Sequence, residues 1–353
     1  MMRELKFYEA IREALDLCLA KDPRVYLMGL GVPDPKGIFG STLGLQQRYG
    51  SWRVMDMPTS ENGMTGIAIG SALNGMRPVL SHQRVDFSLL AMEQMVNQAA
   101  KWRYMFGGRH SVPVVIRMII GRGWGQGPQH SQSLQAWFAH IPGLKVVMPT
   151  TPYDVKGLLI SSIEDDNPVI VLEHRWLYTI VGEVPEGLYR VPLGQAKVVR
   201  GGQDLTIVAT SYMVLEALRA AELLAEQGIA AEVIDVRSLR PLDGRAILES
   251  VCKTGHLIVA DAAWTTCGFA AEIVALVCEH AFEHLKRPPR RVTLPDCPCP
   301  SSAALANDYY PRSVHIVAEA NALLGVSGKP GLASEAVSSV PLDVPDLNFT
   351  GPF

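Results

Sequence analysis

Three short stretches carry residue types that could do chemistry. The first is Pro58-Thr-Ser-Glu61-Asn-Gly63-Met-Thr-Gly66-Ile-Ala-Ile-Gly70. Glu61 falls between a strand and a helix, at the carboxyl edge of a parallel sheet, where open α/β sheets bind ligands. Gly63, Gly66 and Gly70 set small residues along one helical flank and permit close backbone approach. Taken alone, Glu61 is a first-turn carboxylate that stabilises the helix dipole. The second stretch is Gln83-Arg-Val-Asp86-Phe87, running into a helical pattern with Glu93, Gln94 and Lys101. An aromatic at such a helix start is by itself core. The third is the loop Gly121-Arg-Gly-Trp-Gly-Gln-Gly127, with Gln129-His130-Ser131-Gln132 close behind. Glycine at every second position is not a dinucleotide fingerprint and does not open a long helix directly. The nearby His130 favours a functional loop over a merely irregular one.

These residues need elements to hold them. A helical pattern over Tyr8–Leu19 precedes strands at 24–28 and 52–56. A Gly- and Ala-rich helix covers about 62–74, a strand 77–80 and one long helix 88–105. Strands follow at 112–117, 144–148 and 168–172, with a helix at 153–163 between the last two. Short unalternating apolar strands separated by helices predict a parallel sheet covered on both faces. The Gly/Pro/Glu stretch 181–193 reads as a linker. A second block repeats the alternation, with strands at 205–209, 231–235, 256–260 and 292–294 and helices at 213–227, 245–252 and 268–282. From about Ser327 the helical period stops. Residues 327–353 read as an extended tail, either mobile or laid on a partner. The organisation is therefore 1–180, linker 181–193, 194–326 and tail 327–353, in the α/β class.

Composition narrows the function classes. The 353 residues are 48% hydrophobic and 19% charged, with a formal net charge of −3. That is a globular chain with no excess of positive charge for nucleic acid. No apolar run reaches the roughly 18 residues of a membrane span. A charged start without a hydrophobic signal region points to the cytoplasm. Cys18, Cys252, Cys267, Cys278, Cys297 and Cys299 are dispersed and carry neither zinc-ligand spacing nor a disulfide framework. Phosphate-loop, zinc-protease and nucleophile-elbow signatures are absent from the sequence.

Taken together and in order, these stretches resemble the β subunit of the thiamine-diphosphate-dependent decarboxylating component of 2-oxoacid dehydrogenase complexes. Pyruvate, branched-chain and acetoin dehydrogenases use such subunits. The resemblance also rests on Tyr8-Glu-Ala-Ile-Arg, Pro142-Gly-Leu-Lys-Val-Val, Asp165-Asp-Asn-Pro-Val169 and Val236-Arg-Ser-Leu-Arg-Pro241. It covers about residues 3–325. It implies a pyrimidine-binding domain over 1–180 and a transketolase-type C-terminal domain over 194–326. It also implies a partner. The family holds the diphosphate and its Mg2+ with a Gly-Asp-Gly motif and a downstream Asn, and this chain has no Gly-Asp-Gly. That site belongs to a separate α subunit, in an assembly of two α and two β chains.

The resemblance assigns roles by position. Glu61 corresponds to the glutamate that hydrogen-bonds the aminopyrimidine N1′ and relays a proton through the ring. Such a glutamate needs a dry site to keep or share a proton. Phe87 matches the aromatic stacked on the pyrimidine face, and Gln83 a glutamine that contacts that ring. His130 matches the active-site histidine that stabilises or protonates the reacting species, using an imidazole that switches roles near neutral pH. The coenzyme is the electron sink. Val114, Ser162, Ile163, Asp165 and Asn167 match a monovalent-cation site, whose hard oxygens suit potassium. The same positions equally describe a plain helix C-terminus before a strand.

Departures from the family pattern matter too. Gln83 with Asp86 and an aromatic at 87 is closer to the branched-chain type, whereas Gly127-Pro-Gln129-His130 is closer to the pyruvate or acetoin type. Arg84, Arg122 and Trp124 either shape an unusual substrate pocket, where Arg binds a carboxylate, or serve the surface or an α contact. Asp261-Ala-Ala-Trp264 replaces an acidic-Gly-Gly sequence in a region that helps dock the lipoyl acyltransferase in some relatives. Three functions follow. The first oxidatively decarboxylates a 2-oxo acid and passes the acyl group to lipoyl. The second is a stand-alone decarboxylase or carboligase with the same coenzyme and α partner. The third is a non-catalytic scaffold, against which Glu61, Phe87 and His130 argue.

Overall fold

The computed structural model of the chain describes residues 1–122, 126–326 and 342–345. Two compact units emerge. The first comprises Met1–Ile120, Trp137–Leu193 and Leu239–Pro241; the second comprises Gly121–Ala136, Gly194–Ser238 and the described part of Leu242–Phe353. No helix among the described residues is long and apolar enough to cross a membrane.

Among the described residues, the first unit is built on a seven-stranded sheet. Its order is Ser238–Arg240, Lys145–Val147, Val169–His174, Val115–Ile120, Arg77–His82, Val25–Met28 and Val54–Met55. From Lys145–Val147 to Val54–Met55 the neighbours run parallel. Val25–Met28, Val115–Ile120 and Val169–His174 are buried along their whole length. Coverage on both faces removes the need for polar alternation, which is why these strands are unbroken apolar runs in the sequence. The helix Phe7–Lys21 buries Phe7, Ala10, Ile11, Ala14, Leu15, Cys18 and Leu19 at three- and four-residue spacing. Glu9 Oε2 accepts from the Lys6 backbone N–H at 2.8 Å and so ties the helix start. That buried stripe packs on the helix Pro152–Glu164. Truncating the fully buried Leu15 to Ala costs about 2–5 kcal/mol.

Three sequence expectations change here. The strand predicted at 112–117 lies at Val115–Ile120. Pro113 lacks the N–H a central strand must donate, so the ladder begins beyond it. The single helix predicted over 88–105 is broken into an α turn at Val85–Ser88, a 3-10 turn at Leu89–Ala91, a π segment at Gln94–Ala99 and an α-helix at Ala100–Met105. The predicted linker is not a free tether. Val181–Pro185 pairs antiparallel with Met2–Lys6, and Ser161 Oγ donates to Val191 O at 2.7 Å. The partner strand lies at the far end of the unit's sequence, where local pattern cannot reveal it.

The second unit has a five-stranded sheet ordered Arg290–Leu294, Leu257–Trp264, Leu205–Ala209, Ala231–Asp235 and Lys197–Arg200. All neighbours are parallel except the last, an antiparallel edge strand that the sequence reading lacks. Asp243 caps the helix Gly244–Thr254 by accepting from Ala246 N–H at 3.2 Å, and Gly255 closes it in the left-handed conformation. The helix Ser313–Leu324, also absent from the sequence reading, buries Ile316, Val317, Ala320 and Leu323 in the unit's core. The tail differs from both of its expectations where it is described. Arg312 Nη1 donates to Leu342 O at 3.2 Å and Val344 O at 2.9 Å, and Nη2 to Pro345 O at 3.2 Å. Residues 342–345 are thus held by the chain's own second unit. The remainder of 327–353 lies outside the described residues.

Candidate functional site

Glu61 begins the helix Glu61–Leu73, just past the carboxyl end of the sheet strand Val54–Met55. Its residue is 7% exposed. Its carboxylate oxygens are not among the sealed polar atoms that lack a partner, so they keep a face to solvent and stand open to a ligand donor. The neighbouring Asn62 Oδ1 accepts from Gln94 Nε2 at 2.9 Å, which ties the helix start to the π segment. Gly66 faces Gln94, where an added Cβ would make ordinary contact at 3.5 Å. Gly70 has nothing within 4 Å.

Gln83 and Phe87 stand at the carboxyl end of Arg77–His82, on the same edge of the same sheet. The Gln83 amide donates to Leu30 O at 2.9 Å. Gly31 follows in the left-handed region at φ +75°, and a Cβ there would lie 2.7 Å from Gln83 Nε2. Only glycine keeps that amide in place. Gly31 N–H in turn donates to Asp56 Oδ1 at 2.9 Å. Through Leu30 and Gly31 the end of Val25–Met28 is therefore tied to the ends of Val54–Met55 and Arg77–His82, which lead to Glu61 and to Gln83 and Phe87. Phe87 is half-buried in its short helix.

Beneath this edge lies a polar layer that sequence reasoning missed. Arg117 and Glu173 form a fully buried two-point pair, Nε–Oε1 at 2.7 Å and Nη2–Oε2 at 3.0 Å. Tyr178 donates to the same carboxylate, and Arg117 Nη2 also reaches Ser41 Oγ at 3.1 Å. Burial pushes the Tyr178 hydroxyl far up its range. Arg84 is buried, not on the surface, and lies 5.9 Å from the Phe39 ring, with Arg175 at 4.5 Å. Burial pushes His82 down to about 4. Burial, then Arg84 and Arg175, push His174 down to about 3. Both imidazoles are neutral at pH 7. The available signal was a charged or polar residue inside an otherwise apolar strand, as in Val-Val-Ile-Arg117-Met.

His130 belongs to the second unit. It is half-buried in a loop whose ends are tied by Gly121 N–H to Gln132 O at 3.2 Å, and its own N–H donates to Gly127 O at 3.2 Å. Beyond the loop, Gln135 Nε2 donates to Asp261 Oδ1 at 2.8 Å, and Thr210 Oγ1 donates to the same oxygen at 2.6 Å. Burial raises the Asp261 carboxyl above its usual range. Arg122 is buried in this unit too; Trp124 lies outside the described residues.

The cation candidates cluster in the first unit, at the C-terminus of Pro152–Glu164. Ile163 O and Asp165 O each accept from Arg77 Nη1 at 3.0 Å. Val114 O accepts from Val169 N–H at 2.9 Å, and Ser162 O from Asp165 N–H at 3.3 Å. The Asp165 carboxylate takes Lys145 and, at 2.8 Å, the Asn167 amide. Arg103 donates to Asn167 Oδ1 at 2.7 Å. Each carbonyl retains a second lone pair, so the set fits a hard cation only beside a guanidinium.

Comparison with known proteins adds sequence and fold relatives. Residues 3–180 match the transketolase pyrimidine-binding domain and residues 194–316 the transketolase C-terminal domain. The β subunit of acetoin:2,6-dichlorophenolindophenol oxidoreductase from Cupriavidus necator is 46% identical over 330 residues, covering 91% of this chain and 97% of that protein. The mitochondrial pyruvate dehydrogenase E1 subunit beta-2 of Oryza sativa subsp. japonica is 43% identical, covering 89% and 85%. The 2-oxoisovalerate dehydrogenase subunit beta of Pseudomonas aeruginosa is 42% identical, covering 87% and 91%. A solved split-gene transketolase, described as an inactive beta4 tetramer, shares the fold with a TM-score of 0.75 at 23% identity, covering 92% of this chain and all of that one.

Proposed function

Because this chain belongs to the β-subunit family of thiamine-diphosphate-dependent 2-oxoacid dehydrogenases, we propose that its own Glu61, Gln83, Phe87 and His130 serve the decarboxylation of a 2-oxo acid. The observation that carries the reading is the Glu61 carboxylate, open to a ligand donor, on the sheet edge that also bears Gln83 and Phe87. Thiamine diphosphate, when bound, supplies the carbanion and electron-sink chemistry. Glu61 hydrogen-bonds the pyrimidine N1′ and relays a proton there. Phe87 offers a flat apolar face to the ring, and the Gln83 amide, fixed by Leu30, orients it. His130 holds or delivers a proton at the substrate oxygen.

The family works with α subunits, and the missing Gly-Asp-Gly supports the same need here. The finer reading is an assembly of two α and two β chains, with Mg2+ held mainly by α, in the cytoplasm. Potassium at Val114, Ser162, Ile163, Asp165 and Asn167 would share the Ile163 and Asp165 carbonyls with Arg77. The acyl group passes to a lipoyl acyltransferase. A second reading, a stand-alone decarboxylase or carboligase, is favoured by Asp261-Ala-Ala-Trp264 and by the tail segment held on the second unit. The test is a tagged pull-down from the source cell, with mass spectrometry. An α chain with Gly-Asp-Gly plus a lipoyl acyltransferase is the expected result. The α chain alone moves the reading to the stand-alone enzyme, and recovery of neither overturns both.

A further inference from the structure

Arg122 is 1% exposed, yet its Nε and Nη1 meet no hydrogen-bond acceptor among the described residues. Only Nη2 is engaged, with Ser301 O at 3.1 Å and Asp343 Oδ2 at 3.3 Å. A guanidinium is a planar fork matched to a carboxylate's two oxygens, and a buried one leaves donors unmet only at a cost. Asp343 answers it with one long contact. That carboxylate arrives on the segment 342–345, which lies beyond the last residue matched by the family models, 316. The segment is held chiefly by its backbone, through Arg312 and through Leu342 N–H to Asn307 Oδ1 at 3.0 Å. Its one acidic side chain is itself 7% exposed and turned to Arg122. Arg122 also sits at the base of the His130 loop, one residue past the tie between Gly121 and Gln132. A Cβ on Gly127 of that loop would fall 2.3 Å from Ser301 Oγ, so the loop packs on the residue whose carbonyl holds the guanidinium.

We propose that Arg122 is a receptor for a small carboxylate, that Asp343 is its internal ligand, and that an incoming acid displaces Asp343 to bind the fork with two oxygens. The ligand class is a short carboxylic acid, either the reacting substrate's own carboxylate or a separate acid. The inference stands on the second unit alone, and its readout is binding, so it is independent of the proposed reaction.

The test titrates malonate by calorimetry, at fixed ionic strength, into the α/β complex that carries its coenzyme. Wild type should bind saturably, Asp343→Asn at least about tenfold more tightly, and Arg122→Gln not at all. Arg122→Lys, which keeps the charge and loses the fork, should bind about tenfold more weakly. Equal affinity in Asp343→Asn and wild type, or binding that survives in Arg122→Gln, overturns the proposal. Asp343→Asn is nearly isosteric, so the comparison holds even where a change at the buried Arg122 prevents folding. Malonate inhibition competitive with the 2-oxo acid assigns the receptor to the substrate's carboxylate, and noncompetitive inhibition assigns it to a separate acid. Both results support the receptor only together with the tighter binding of Asp343→Asn.

Discussion

Glu61 starts its helix at the sheet edge, 7% exposed, with its carboxylate open to a ligand donor. Glu61→Gln keeps the shape and removes the proton traffic. Turnover of the α/β complex should fall by about 10²–10⁴-fold, with the melting temperature nearly unchanged, as steady-state kinetics and calorimetry will show. His82 and His174 supply a second residue-scale prediction. Their folded-state values, about 4 and about 3, lie below the ordinary 6.5, so the unfolded chain binds protons more readily. Their contribution to stability is whole above about pH 6.5 and is lost as pH falls through that value toward 4 and 3. Because His82 Nε2 has no partner among the described residues, His82→Gln forfeits no bond there. The variant should lose less stability than wild type between about pH 7 and 4.5, with a limit on the order of 3 kcal/mol, read from denaturant melts.

Between the strands, the Arg117–Glu173 pair joins Val115–Ile120 to Val169–His174 under the site. Such a pair resists the loss of one partner far more than the loss of both. Arg117→Leu should cost about 3–5 kcal/mol in urea unfolding of the complex, and the double change Arg117→Leu, Glu173→Leu should recover much of it. The break of the predicted 88–105 helix belongs to the same scale. Apolar spacing marks a helix there, but it is blind to one extra residue in a turn, which is all a π segment needs. The segment matters because Gln94 within it anchors Asn62, the residue after Glu61.

On the scale of the whole molecule, Glu61, Gln83 and Phe87 belong to one unit and His130 to the other. Deleting everything beyond Val326 takes three carbonyl partners from the buried Arg312, which keeps its ion pair with Glu216. The deletion should lower the second unit's stability by about 1–3 kcal/mol, measured by scanning calorimetry of the complex.

The linear sequence determined the α/β class, the two blocks and the positions of Glu61, Gln83, Phe87 and His130. Those features are local: apolar runs buried on both faces, a carboxylate at a helix start, and motif residues at short spacing. The family membership was legible for the same reason, since its strings are contiguous. Long-range partners were not. The pairing of Met2–Lys6 with Val181–Pro185, of Arg117 with Glu173, and of Gln135 with Asp261 joins residues far apart in the chain. So does Arg122 with Asp343. Each is decided only when the fold brings distant segments together, because burial, and the demand it makes on every polar atom, exists only in the folded chain.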